Sequence, residues 1–433
     1  MHLRTSILAI SFAALLSAAA PLAAQDITSH EPPPQIPFAD WITETKRADL
    51  PCSIHIATPR LSILQRIGVE FRVKVPAKAL DLLGPNYQLF LEIRLKKSGA
   101  RDWMDSHDIV GTRLFERMPR ENYLEFSMQA LVLPGEYKVG FILFDKVSSK
   151  RSVGLRSLKV RPLSSDPLPE ISRDLPAVEF FQRGVDQDRE ALPELKSRLW
   201  IPVATRRPVH IELLVNFAAP EPVADEPGRP VERSPQALRV LHERNLARML
   251  GIIKVFSQME IPNGAIHITA LDILRRNVLF EQDAASELDW PRLRTALEQL
   301  NPLSIPVQAL EGRRQNAAFL RELLQSRMPQ AASAPAHAGN GGDGSPSAVE
   351  PFRVFIVVSS PIVFERGADL SPVHPPSGAE FRVYHLQYRI SPVHVWDDLP
   401  RVLRELEPHR FDLQTPEDFR RAIARLVADL RAL

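Results

Sequence analysis

Apolar and polar residues alternate with a period of two along much of residues 49–163, and that alternation predicts strands. In IGVEFRVKV, Val69, Phe71, Val73 and Val75 alternate with Glu70, Arg72 and Lys74, as on a strand with one face in a core and the other in water. The runs SIHIA, YQLFLEIRL, YLEFSMQAL, GEYKVGFILFD and SVGLRSLKV repeat the pattern, with Pro134-Gly135 and Ser148-Ser149 at turns. Short strands punctuated in this way predict an antiparallel β-sandwich, and nothing in them points to catalysis.

From Val209 the period changes. VHIELLVNF is an almost continuous apolar run, as in a strand covered on both faces. In the following SPQALRVLHERNLARMLGIIKVFSQM, Leu238, Leu241, Leu246, Met249, Ile252, Ile253 and Phe256 recur at helical spacing, with Ser234 as N-cap and Pro235 at the first helical position. AIHITALDI and NVLFEQ predict strands, DWPRLRTALEQL a helix, IPVQAL a strand and QNAAFLRELLQSRM a helix. FRVFIVVSS and FRVYHLQYRI predict two more buried strands, and TPEDFRRAIARLVADL a final helix. Thr415 caps that helix, Pro416 opens it, and Glu417 and Asp418 face the positive end of its dipole. Strands alternating with helices imply a doubly wound α/β sheet. The fold class is therefore multidomain: an immunoglobulin-like antiparallel β-sandwich over residues 49–163, then an α/β domain over residues 209–433. Between them, residues 164–208 form a proline-rich connector whose ISRDLPAVEFF is too apolar for a free linker and is expected to pack on the sandwich. Residues 329–351, rich in Ala, Gly, Pro and Ser, predict a flexible insertion.

The first 24 residues change the picture of location. Arg4 supplies a basic start, ILAISFAALLSAAA an apolar core, and Leu22-Ala23-Ala24 a cleavage site before Gln25, which together predict a signal peptide and a secreted or periplasmic protein. Residues 25–48, containing EPPPQIP, predict an extended leader. No later run is long and apolar enough to span a bilayer, so no transmembrane segment is expected after signal removal. The chain has 54 Lys and Arg against 52 Asp and Glu, which argues against nucleic acid as a partner. Cys52 is the one cysteine and is read as a small packed hydrophobe. With 39 prolines and 18 glycines, the loops are stiffened.

The stretch VHIELLVNFAAP, with its approach VATRRP and the closing TPEDFRRAIARLVADLR, resembles the von Willebrand factor A-type domain of the bacterial secreted VWFA-related proteins over roughly residues 200–433. The resemblance implies a vWA-like α/β fold whose first strand would end in Asp-x-Ser-x-Ser, a divalent-cation site. Here those places hold Asn216, Ala218 and Pro220. The fourth-strand Asp-Gly is replaced by Ser359, Ser360 and Pro361, and LSIPVQALEGRRQ offers Ser304 in place of a metal-associated Thr. A hard cation needs several oxygens, preferably charged, so the adhesion site is degenerate. Neither metal nor cofactor is expected.

In an open α/β sheet, ligands gather at the carboxyl ends of the strands. Three long loops are expected there: 218–234, 361–380 with Glu365, Asp369 and His374, and 391–399 with His394, Trp396, Asp397 and Asp398. The candidate partner-binding surface is Asn216, Phe217, Ser359, Ser360, His374, His394 and Trp396. His267 and His385 lie in strands, packed or facing solvent, and His242-Glu243 reads as a solvated helix face. No His-Glu-x-x-His, Gly-x-Ser-x-Gly or phosphate-cradling glycine loop is present, and GNGGDGSP belongs to the flexible insertion. The expectation is a non-enzymatic interaction module binding another protein or an envelope component. The alternatives are an enzyme using His374, His394 and Asp397, or a purely structural envelope module.

Overall fold

The computed structural model describes residues 35–44, 47–83, 87–104, 112–113, 122–181, 196–218, 235–283, 287–298, 300, 307, 311–328, 350–378, 380–389 and 396–433. The signal segment, Ser234, Ser304, most of IPVQAL, the insertion 329–349 and His394 therefore lie outside the described residues.

The period-two runs all form strands. β1 (Ser53–Ile56), β2 (Arg60–Leu61), β3 (Ile67–Pro76), β4 (Gln88–Lys97), β5 (Thr112–Arg113), β6 (Tyr123–Val132), β7 (Gly135–Asp145) and β8 (Arg151–Val160) build two sheets, with the short helix α2 (Ala77–Asp81) directly after β3. One has the order β1-β3-β6-β9, with β2 beside β3 and β9 formed by Val178–Phe180; the other has the order β5-β4-β7-β8. Every pairing in both is antiparallel. The apolar halves of the alternations meet between the sheets, where Phe71 and Val73 of β3, Leu91 and Ile93 of β4, Phe126 of β6 and Val139 of β7 share one core.

Two departures from the sequence expectation concern segments flanking these sheets. The leader is not simply extended: α1 (Phe38–Trp41) is helical, and buried Phe38 and Ile42 cover Ile142 and Val153 on the outer face of β7 and β8. Gly140 makes the room, since a Cβ there would lie 2.8 Å from the Phe38 ring. The connector belongs to both halves. Its β9 pairs with β6, while β10 (Ile201–Pro202) pairs in parallel with β12 (Met259–Glu260), and buried Leu199, Ile201 and Val203 extend the C-terminal core upstream of residue 209.

The C-terminal half is a six-stranded sheet in the order β14-β13-β11-β15-β16-β17, comprising β11 (Val209–Asn216), β13 (Gly264–Asp272), β14 (Asn277–Asp283), β15 (Phe352–Ser359), β16 (Phe381–Tyr388) and β17 (His409–Leu413). All neighbours are parallel except β13 and β14, an antiparallel edge hairpin. Helices cover both faces, which is why the strands read as apolar throughout. Ile211, Leu213 and Val215 meet α3 (Pro235–Phe256), α4 (Trp290–Glu298) and the closing helix; Leu214, Phe355, Val357 and Val383 meet α5 (Asn316–Arg327) and α6 (Leu399–Val402). The closing helix α7 (Pro416–Arg431) starts with a full capping box, Thr415 Oγ1 accepting from Asp418 N and Asp418 accepting from Thr415 N. IPVQAL is not a strand where it is described, because Val307 is helical.

The halves touch along α3 and α7. Gln65 Nε2 donates to Pro416 O, and Ile63 packs so closely on α3 that a Cβ at Gly251 would lie 2.6 Å from its Cγ2. In an open helix Gly→Ala stabilises by about 1 kcal/mol. Gly251→Ala is expected to lower the melting temperature instead, because the stiff Ile63 side chain cannot yield; a higher melting temperature would mean that the contact is absent.

Candidate functional site

β11 connects toward β13 on one side and β15 toward β16 on the other, so the strand order reverses between β11 and β15. In doubly wound sheets, ligands are held at such a reversal. The floor at these strand ends is polar and buried, and at the end of β13 it includes Asp272, bonded to Arg275 at 2.6 Å. Asn216 Oδ1 accepts from Ala218 N at 3.2 Å and from Ile273 N at 3.1 Å, tying the end of β11 to the end of β13. Ser360 Oγ donates to Asn245 Oδ1 at 2.9 Å, and Asn245 Nδ2 reaches Ala218 O at 3.5 Å. Asn245 projects from α3 and was not singled out by the sequence pattern; a polar residue at a buried helical position was the available signal. Ser359 Oγ and Gln387 Oε1 are buried without a hydrogen-bond partner.

This geometry corrects the candidate surface. Asn216, Phe217, Ser359 and Ser360 are all buried, so they form the floor and not a face that a partner touches. Phe217 packs in the core under α3, α4 and α7, and Ser360 is bonded to Asn245 of α3.

The loops after β15 and β16 do come together. Asp397 Oδ1 accepts from Ile362 N at 3.0 Å and Leu399 N at 3.2 Å, and its Oδ2 accepts from Gln387 Nε2 at 2.7 Å. Burial raises the Asp397 pKa above the ordinary carboxylate range, against the backbone N–H groups that pull it down. Asp398 Oδ2 accepts from Phe364 N, and Asp398 Oδ1 accepts from Trp396 Nε1 at 2.8 Å. Trp396 is 59% exposed, with the Arg401 guanidinium 5.1 Å from its ring centroid. His374 is exposed and turned to Glu405, its Nδ1 2.6 Å from Oε2. The carboxyl group of Asp397 is thus occupied by loop backbone and Gln387, and His374 has another carboxylate as its partner.

The strand histidines divide. His385 is fully buried with both ring nitrogens unpartnered, and His267 pairs with Asp283 at 2.8 Å. His242 is buried, not on a solvated helix face, while Glu243 beside it is exposed and bonded to Arg239. Cys52 is half-buried, and burial pushes its thiol up to about 11, so the reactive thiolate is disfavoured. Among the described residues no group of three His, Cys, Asp or Glu side chains is placed to hold a metal ion, and no described helix is long and apolar enough to cross a membrane. No protein-family model matches the chain, and no curated protein matches it.

Proposed function

We propose that this chain is a secreted or periplasmic interaction protein, not an enzyme, whose vWA-like half binds another protein or an envelope component without a bridging cation. The observation that carries the reading is the contrast between floor and rim at the carboxyl ends of the sheet. In the floor, the side-chain oxygen left at the degenerate adhesion site, Asn216 Oδ1, already accepts two backbone N–H groups. A neutral amide oxygen engaged twice is a poor ligand for a hard dication. On the rim, Trp396 is exposed yet held in place by its bond to Asp398 and by Arg401. An aromatic side chain ordered before binding, next to an arginine, is the residue combination enriched in the energetic centres of interfaces. The strand order β14-β13-β11-β15-β16-β17 supports the vWA-like reading, being the doubly wound 3-2-1-4-5-6 order. The two antiparallel sheets around one core support the immunoglobulin-like reading of the N-terminal half.

Affinity capture from the native envelope tests this. The wild-type chain is expected to recover the same partner with and without EDTA, and Trp396→Ala to lose at least about 2 kcal/mol of affinity, roughly thirtyfold. Recovery abolished by EDTA, or unchanged by Trp396→Ala, would overturn the reading.

A further inference from the structure

The C-terminal sheet ends on β17, and among the described residues no strand lies beyond it. At the opposite edge, Gln282 of β14 donates to Glu287 O and accepts from Asp289 N, so the chain beyond β14 folds back on it. On β17, by contrast, His409, Arg410 and Asp412 are exposed. An edge strand offers a row of unpaired N–H and C=O groups to any strand that fits them. Which groups point outward follows from the ladder. Leu413 O accepts from Arg389 N, and β17 runs parallel to β16 with His385 beside Arg410 and Gln387 beside Asp412. Along a strand in such a ladder, the N–H and C=O of one residue point to the same side and those of the next to the other. His409, Phe411 and Leu413 therefore turn theirs to β16, and the N–H and C=O of Arg410 and Asp412 face away from the sheet.

Two opposite charges on these same residues decide what the edge accepts. Arg410 donates no hydrogen bond from its side chain to a described residue, while the half-exposed Asp412 accepts one, from Arg389 Nη2 at 3.2 Å. A second β17 laid antiparallel about a two-fold axis through Phe411 sets Arg410 of each copy opposite Asp412 of the other. Each opposed pair then exchanges both of its N–H···O bonds, since these are the residues whose peptide groups face outward. Opposite charges directly across a strand pair stabilise it, and like charges destabilise it. On the other face the two Phe411 rings meet beside Tyr384, on which Phe411 already stacks. The charges also fix the register: a slip of two residues either way would set Arg410 on Arg410 or Asp412 on Asp412.

We propose that β17 pairs with β17 of a second copy of this chain, antiparallel and centred on Phe411, so that two sheets become one. The contact closes on itself, because each copy uses its β17 edge once. It does not depend on a partner at Trp396.

Sedimentation equilibrium of the purified chain at concentrations up to about 1 mM, which reaches weak specific complexes, tests the pairing. Wild type is expected to show a monomer–dimer equilibrium with no larger species. Arg410→Asp and Asp412→Arg each set like charges opposite each other, and each alone is expected to weaken dimerisation at least about tenfold. Mixed in equal amounts, the two variants are expected to dimerise again, because every opposed pair is once more an acid against a base. That recovery also shows that both variants fold. The chain carrying both substitutions is expected to dimerise like wild type. A wild-type chain that stays monomeric throughout, single variants that dimerise as well as wild type, or a mixture that associates no better than its components would overturn the proposal.

Discussion

Arg420→Ala is expected to destabilise the protein by about 3–5 kcal/mol, the cost of breaking a buried ion pair by removing one partner. Arg420 is 3% exposed on the closing helix, and each of its three guanidinium nitrogens donates a hydrogen bond. Nε and Nη2 donate to the two oxygens of Asp166 at 2.8 and 2.5 Å, Nη2 also to Leu168 O, and Nη1 to Gln65 O. One side chain thereby fixes the C-terminal helix to the connector and to the N-terminal sheets. Truncation removes the charged partner of Asp166, which keeps only Leu168 N, and takes the donor from Gln65 O, while Leu168 O keeps Ile171 N. Burial raises the Asp166 pKa, but bonds from Arg420 and Leu168 N outweigh it and hold the group below the ordinary 3.8. A depressed carboxylate contributes stability that is complete above its unfolded pKa and is lost as pH falls through the folded value. The loss caused by Arg420→Ala in urea unfolding is therefore expected to be largest near neutrality and to shrink below about pH 4. Arg420→Met combined with Asp166→Leu is expected to recover most of it, since an apolar pair can replace a buried ion pair. An unchanged unfolding midpoint in Arg420→Ala would mean that the halves are not joined in this way.

His385→Leu is expected to do the reverse and stabilise the protein, most strongly in acid. His385 sits in the middle of β16 with neither ring nitrogen bonded, and burial, reinforced by Arg410 opposite on β17, pushes its pKa from 6.5 down to about 3. The unfolded chain takes up the proton below pH 6.5, whereas the folded chain resists it until about pH 3. Stability is thus complete above pH 6.5 and falls between those values by up to about 1.4 kcal/mol per pH unit. Asp397, whose pKa is raised by burial, titrates with the opposite sign, so the comparison must be between His385→Leu and wild type at each pH. The variant is expected to melt higher at pH 5 by a wider margin than at pH 8. An equal margin at both would show that the imidazole is not held neutral.

The strands that pack on an extended core could be read from the sequence because burial imposes a period. β3 alternates, and β11, β15 and β16 run apolar. β17 escaped the sequence reading for the same reason in reverse: HRFDL is an edge strand in which only Leu413 is buried, so hydrogen bonding to β16 makes it a strand, not hydrophobic periodicity. β9 was hidden by its three-residue length and proline-rich surroundings. NVLFEQ was legible as a strand, but its antiparallel direction follows from the tight turn after β13 and left no mark in its composition. At the site, position along the chain singled out Asn216, Ser359 and Ser360, while their burial involves segments distant in the chain, Ile273 beside Asn216 and Asn245 beside Ser360. The meeting of Asp397 with Ile362 N and Gln387, and of Asn245 with Ser360, are contacts between distant segments that no local pattern encodes.

At the strand ends Asn216 Oδ1 is engaged by two backbone N–H groups, and the proposed mode of binding needs no cation there. Calorimetric titration of magnesium and manganese into the purified chain, freed of metal beforehand, tests this most directly. No saturable heat is predicted for either ion, in wild type or in Asn216→Ala. Micromolar binding of either ion that disappears in Asn216→Ala would contradict the account.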